Sequence, residues 1–71
     1  MTRLETIGFI GTGTMGQALI KGLLTTGVSP RRLVASDARS AARREVVRRF
    51  RIRVTDDNRE VARRARILVL A

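Results

Sequence analysis

Cysteine and histidine are both missing from the 71 residues, and with them go several kinds of chemistry. Without thiols there is no disulfide framework and no thiolate metal site, and without imidazole a zinc centre loses its other usual ligand. A reducing, cytoplasmic setting fits this composition. Aromatics are almost as scarce: Phe9 and Phe50 stand alone, so the stacked rings on which single-strand nucleic-acid binders seat bases are absent. No apolar run approaches the roughly 18 residues of a membrane span, and the opening MTRLETIGF lacks the apolar core and cleavage site of a signal peptide. The chain reads as soluble, with no membrane partner. One small domain is the most this length holds, and such a domain buries only about 60% of the surface its unfolded chain exposes. Marginal stability is expected.

Acidic residues are outnumbered, 6 against 15 basic ones, for a net charge of +9. Lys21 is the single lysine, so the basic character is arginine. A basic surface attracts phosphate backbones, yet an arginine-favouring codon bias gives the same composition. No helix-turn-helix or other reader pattern accompanies the charge, and nucleic acid is not the expected partner.

What is present is a repeated change of hydrophobic period. Ile7 to Ile10 is a short apolar run ended by Gly11, as expected of a buried strand. Met15, Ala18, Leu19 and Leu23 then recur at offsets of three and four, predicting a helix from about Thr14 to Thr26 with these residues on its apolar face. Gly27 stops it, and Pro30 bars continuation. A second strand is expected at Leu33 to Ser36. A second helix follows, with Ser40 as N-cap and Ala42, Val46, Val47 and Phe50 facing inward. Ile52 and Val54 mark a third strand. Asp57 and Glu60 have the spacing of a capping box before a helix through about Arg64, and ILVLA closes the series as a fourth strand. The alternation predicts an α/β fold with a parallel sheet and helices on its faces, an incomplete βαβαβαβ unit.

The glycines after the first strand carry the chemistry. Gly11-Thr12-Gly13-Thr14-Met15-Gly16 matches G-x-G-x-x-G between a strand and a helix. Gly11 permits a tight turn, Gly13 leaves the backbone open to a pyrophosphate, and Gly16 lets the helix lie close to the strand. Free N–H groups from Thr14 to Gly16, at the positive end of the helix dipole, form an anion site. Asp37, about 20 residues further at the end of the second strand, has the position of a ribose ligand and favours NAD; it can equally serve as an acid near a helix N-terminus. Arg39 pulls toward NADP, because a guanidinium there can clamp a 2′-phosphate. Asn58 faces the adenosine end of the cofactor or merely opens the third helix. Nothing matches a catalytic triad, a metal cluster or a carboxylate pair.

The stretches IGFIGTGTMGQALIKGLLTTGV, LVASDARS and RVTDDNREVARRARILVLA closely resemble the N-terminal, dinucleotide-binding part of pyrroline-5-carboxylate reductases, over about residues 6 to 71. The resemblance implies a Rossmann-type domain that uses NADPH or NADH to reduce the imine of 1-pyrroline-5-carboxylate to proline; between the two, NADP is expected, with NAD tolerated. By position, Ile10 to Met15 would line the pyrophosphate. Ser36 and Asp37 with Arg39 would meet the ribose or its phosphate, and Asn58 the adenosine. Ala71 would begin the family's A-V-K-P segment beside the nicotinamide. The family's helical C-terminal domain, which forms the dimer and contributes to the substrate pocket, has no counterpart in these residues. The resemblance therefore implies a partial NAD(P)-binding domain over 1–71. Substrate turnover would belong to a full-length protein, and the apolar fourth strand would leave the isolated chain prone to self-association. The first-strand motif is shared with 6-phosphogluconate and 3-hydroxyisobutyrate dehydrogenases, which supply a second reading; a basic nucleic-acid-binding module is a third.

Overall fold

The apolar runs IGFI, LVA and ILVL are too short for helices but long enough for strands, and each becomes one, while the third strand, Arg53–Thr55, holds a single apolar residue, Val54. The computed structural model describes residues 5–71. In it β1 (Ile7–Ile10), β2 (Leu33–Ser36), β3 (Arg53–Thr55) and β4 (Ile67–Leu70) alternate with α1 (Thr14–Thr25), α2 (Ser40–Phe50) and α3 (Asn58–Arg64). After α1 the chain turns at Gly27, whose φ of 101° is left-handed, and a short 3-10 turn at Pro30–Arg32 leads into β2. Among the described residues no helix is long and apolar enough to cross a membrane.

All the strands run parallel, in the order β3-β2-β1-β4. The steps from β1 to β2 to β3 go one way, so right-handed crossovers put α1 and α2 on one face, and the return to β4 carries α3 across the other. This is the Rossmann-like α/β arrangement the alternation predicts. Period-2 geometry then assigns the side chains. Ile7, Phe9, Leu33 and Ala35 meet Ile20 of α1 and Val46 and Phe50 of α2, forming the main core with Ile52. On the opposite face Gly8 lies under α3. A Cβ at residue 8 would stand 2.6 Å from Val61 Cγ1 and 2.7 Å from Ala65 Cβ, so α3 packs directly on the main chain of β1.

Three details differ from the sequence expectation. The buried side of α1 is Gly16 and Ile20, not the stripe through Met15, Ala18 and Leu19, all of which are exposed. The cause is Gly16: its bare Cα is pressed against the Gly11 carbonyl and Ala71 at the ends of β1 and β4, and the inward face follows from it at offsets of four and seven, through Ile20 and the half-buried Leu23. In α2, Val47 is turned outward while Val46 and Phe50 are buried, and the cap is Arg39 rather than Ser40, which is already helical. Arg39 holds the cap position because its N–H is tied to Asp37. The capping box at α3 is half formed: Asp57 accepts from the N–H of Arg59, but Glu60 turns to accept from the Thr55 hydroxyl.

The packing makes two opposite predictions. Gly8→Ala forces a methyl into occupied space and should cost about 1–3 kcal/mol, lowering the melting temperature by several degrees. Arg51, the C-cap of α2, has a left-handed φ of 57°, so Arg51→Gly should stabilise by about 1 kcal/mol. Thermal unfolding of both variants checks the pair. A Gly8→Ala protein melting at or above the parent would show that α3 does not sit on β1.

Candidate dinucleotide-binding site

In a parallel sheet, ligands gather outside the carboxyl ends of the strands, where neighbouring connections leave in opposite directions. Here that place lies between β1, whose chain turns toward β2, and β4, reached from the far side. Gly11 leaves β1 with φ 95°, conformational space that only glycine enters without strain. The turn brings α1 back over the strand, and a Cβ at Gly16 would meet the Gly11 carbonyl at 2.9 Å. Ile10 holds the end of β1 by accepting from the N–H of Ala71 at 3.0 Å, which sets Ala71 beside Gly11 and Gly16.

Gly13 is different. Its φ and ψ, −73° and −167°, suit any residue, and a Cβ there would meet nothing within 4 Å. Neither backbone nor packing within the chain fills the space beside this residue, so its main chain is open to close approach from outside, as expected of a cradle that a phosphate fills. The start of α1 fits the same ligand. Gly13 caps it without a side chain, and its first turn holds no acid, which leaves the amides of the turn to an external acceptor. By contrast α3 is capped internally by Asp57. Thr14 and Met15 are exposed on that first turn. Thr12, Gly13 and Gln17 face Arg39, Ala42 and Glu45 across a cleft of about 370 Å³. The residues present therefore fit a dinucleotide phosphate.

Asp37 is the hub of the site. One carboxylate oxygen, Oδ2, accepts from the Thr12 N–H at 3.0 Å, the Thr12 hydroxyl at 2.7 Å and Arg39 Nη2 at 2.9 Å. The other, Oδ1, accepts from the Arg39 N–H and Nε, both at 3.0 Å. These bonds link the glycine-rich turn to the start of α2. The Arg39 guanidinium, above all, holds the Asp37 carboxyl well below the ordinary carboxylate range; burial opposes this, and the Arg39 and Thr12 N–H groups and the Thr12 hydroxyl reinforce it.

The structure brings Ile10 to Gly16, Asp37, Arg39 and Ala71 to the carboxyl end of the sheet. Ser36 and Asn58 form a neighbouring pair, the buried Ser36 hydroxyl donating to Asn58 Oδ1 at 2.5 Å. Two further residues belong to the constellation. Gln17 Nε2 donates to the Thr12 carbonyl at 3.0 Å while its Oε1 accepts from Arg49 at 2.6 Å. Arg43 donates to the Asp37 and Ala38 carbonyls. Arg43 was not singled out from the sequence, although it leaves a signal there: a cation early in a helix opposes the dipole and calls for a local acceptor.

The sign of the Asp37 shift sets a pH dependence. A carboxyl whose folded value lies below its unfolded one contributes stability above the unfolded value, about 3.9. That contribution is lost as pH falls toward the folded value. Asp57, lowered chiefly by the Arg59 N–H, titrates in the same direction, so the contrast with a variant isolates Asp37. Asp37→Asn should be less stable than the parent at pH 7, and its stability should fall less between about pH 5 and pH 2. Urea unfolding across that range checks this; parallel curves would mean the carboxylate is not bonded in solution.

Comparison with known proteins agrees with this geometry. The chain is 40% identical over 68 residues to the pyrroline-5-carboxylate reductase of Methanosarcina acetivorans, covering 94% of this chain and 25% of that protein. It is 35% identical over 65 residues to the pyrroline-5-carboxylate reductase of Vibrio alginolyticus, covering 92% and 24%. The solved structure of a pyrroline-5-carboxylate reductase from Coxiella burnetii superposes with a TM-score of 0.91 at 29% identity, over 97% of this chain and 26% of that one. The chain thus spans about a quarter of the length of these relatives, and the resemblance read from its motifs is borne out. The family model for NADP oxidoreductases, coenzyme F420-dependent, matches residues 6–71. A Rossmann-type sheet, a glycine-rich turn shaped for a nicotinamide dinucleotide and this match lead to one conclusion: the chain belongs to the coenzyme F420-dependent NADP oxidoreductase family.

Proposed function

We propose that this chain is the NADPH-binding portion of a pyrroline-5-carboxylate reductase, with NADH tolerated, working in the cytoplasm. The observation that carries the cofactor half is the open main chain at Gly13, set at a helix start that has no side-chain cap and no acid in its first turn. The substrate half rests on the printed activity of the relatives from Methanosarcina and Vibrio, each of which this chain matches over about a quarter of its length.

In this reading Ile10 to Met15 line the pyrophosphate, and the amides at the start of α1 take its charge. Gly16 keeps the helix close enough for those amides to reach. Arg39 presents a guanidinium to the 2′-phosphate at the ribose, while the Ser36 and Asn58 pair borders the adenosine. Ala71 flanks the nicotinamide end. The bound nicotinamide supplies the hydride. The chain's own part is to orient it, which is where a nucleotide domain contributes to rate. The cleft at the turn is open, so water exclusion and the substrate pocket fall to other parts of the enzyme. Exposed Met15, Leu19, Leu68 and Leu70 would be covered there, and in the 71-residue chain they favour self-association.

Two measurements test the proposal. Gly13→Val should fold like the parent and bind NADPH and NADH at least about tenfold more weakly, because a branched side chain would fill the phosphate position. Affinities equal to the parent's would end the cradle reading. Turnover is tested by exchanging this chain for the matching 68-residue segment of the Methanosarcina enzyme. The exchanged protein should reduce pyrroline-5-carboxylate with NADPH, whereas the 71-residue chain alone should stay at the buffer level. An exchanged protein that folds and binds NADPH but makes no proline would overturn the assignment.

A further inference from the structure

An acidic residue at the end of the second strand of a dinucleotide-binding fold ordinarily reads the ribose hydroxyls and turns away a 2′-phosphate. Asp37 occupies that position but is not free to act so. Its side chain is only 7% exposed, and its two oxygens already accept five hydrogen bonds from Thr12 and Arg39. A carboxylate offers about four lone-pair sites, so a ribose hydroxyl would have to displace a bond that already exists. Arg39 is the reverse. It meets Asp37 through Nε and Nη2, one edge of the guanidinium, while its side chain is 67% exposed, so the rest of the planar fork is at the surface.

We propose that Asp37 selects the 2′-phosphorylated dinucleotide by holding Arg39 at a fixed distance from the glycine-rich turn, without itself touching the ribose. The inference rests on the dinucleotide reading above and assigns Asp37 as a positioning residue of that site. Two physical effects follow from the bonding. The paired guanidinium offsets the charge that would otherwise repel a phosphate dianion. Arg39 is also fixed before the ligand arrives, so binding does not have to freeze a long side chain, a loss of about 0.5–1.5 kcal/mol for a mobile one. Because the same carboxylate grips Thr12, the elements reading the two phosphates are braced against one another.

The experiment is equilibrium titration of the chain and its variants with NADPH and NADH. Asp37→Asn should weaken NADPH by about tenfold and NADH much less, and in an Arg39→Ala background the same substitution should no longer change the ratio. A ribose-reading Asp37 gives the opposite sign: Asp37→Asn would then weaken NADH at least as much as NADPH. That result, or an effect on the ratio that persists without Arg39, overturns the proposal. Arg39→Lys keeps the charge but loses the two-pronged contact with Asp37, and it leaves the buried Thr12 bonds in place, so it serves if Asp37→Asn does not fold. It should lower the preference for NADPH several-fold with little change in melting temperature; an unchanged preference also overturns the proposal. A parent chain that binds neither dinucleotide would instead sink the underlying cofactor reading, a result distinct from each of these.

Discussion

Main chain lies against neighbouring elements at two glycines, and the layout of the domain depends on those contacts. Gly8 lets α3 rest on β1 from one side, and Gly16 lets α1 rest on the turn at Gly11 from the other. With so few large side chains to bury, a domain of this size cannot spread its layers apart and still exclude water. Close approach replaces bulk. The same contact at Gly16 that tightens the packing also aims the first amides of α1 into the space above the sheet, so the geometry that stabilises the fold shapes the anion site.

Around that frame the polar groups are arranged to keep the site rigid from within. The Asp37 carboxylate, the Thr12 hydroxyl, Gln17 and the guanidinium groups of Arg39, Arg43 and Arg49 form one connected set of hydrogen bonds from β1 through α1 to α2. Among the described residues no buried side-chain polar atom lacks a partner, the condition under which a buried network stiffens a structure instead of weakening it. Much of the arginine content thus has local work to do. Arg43 ties off carbonyls at the start of α2, Arg32 reaches the Glu5 carbonyl, and Arg64 pairs with Glu60 one turn earlier on α3.

The fold was legible because its elements are short and sharply punctuated. β1 and β2 run between the residues that the apolar runs mark, and Gly11 and Gly27 end their elements through positive φ angles that glycine alone enters freely. The orientation of α1 was not legible. Met15 and Leu19 outweigh Gly16 in any apolar stripe, yet Gly16 decides which side faces the sheet, since contact of backbone with backbone leaves no mark in hydrophobicity. At the site, the positions of Thr12, Asp37 and Arg39 follow from the motif and its spacing. That the carboxylate spends its lone pairs on the chain itself depends on rotamers and separations of about 3 Å, which no pattern of residue types encodes. Gln17 escaped for the same reason.

The sheet order carries a further consequence, in time instead of space. Ile7 pairs with Ile67 and Ile10 with Leu70, so β1 finds its second neighbour only when β4 emerges. Until then β1 can pair with β2 alone, and the edge that later receives β4 stays bare. Pairings this distant along the chain are slow to close because the loop entropy must be overcome first. A nascent chain exposing an unpaired apolar strand edge is also a template for wrong partners. Gly8 lies in that strand, and α3, which covers it, is itself synthesised just before β4. The nucleotide site, seated at the end of β1, is therefore completed only after β4 has been made, although its glycine-rich turn is made before the other three strands.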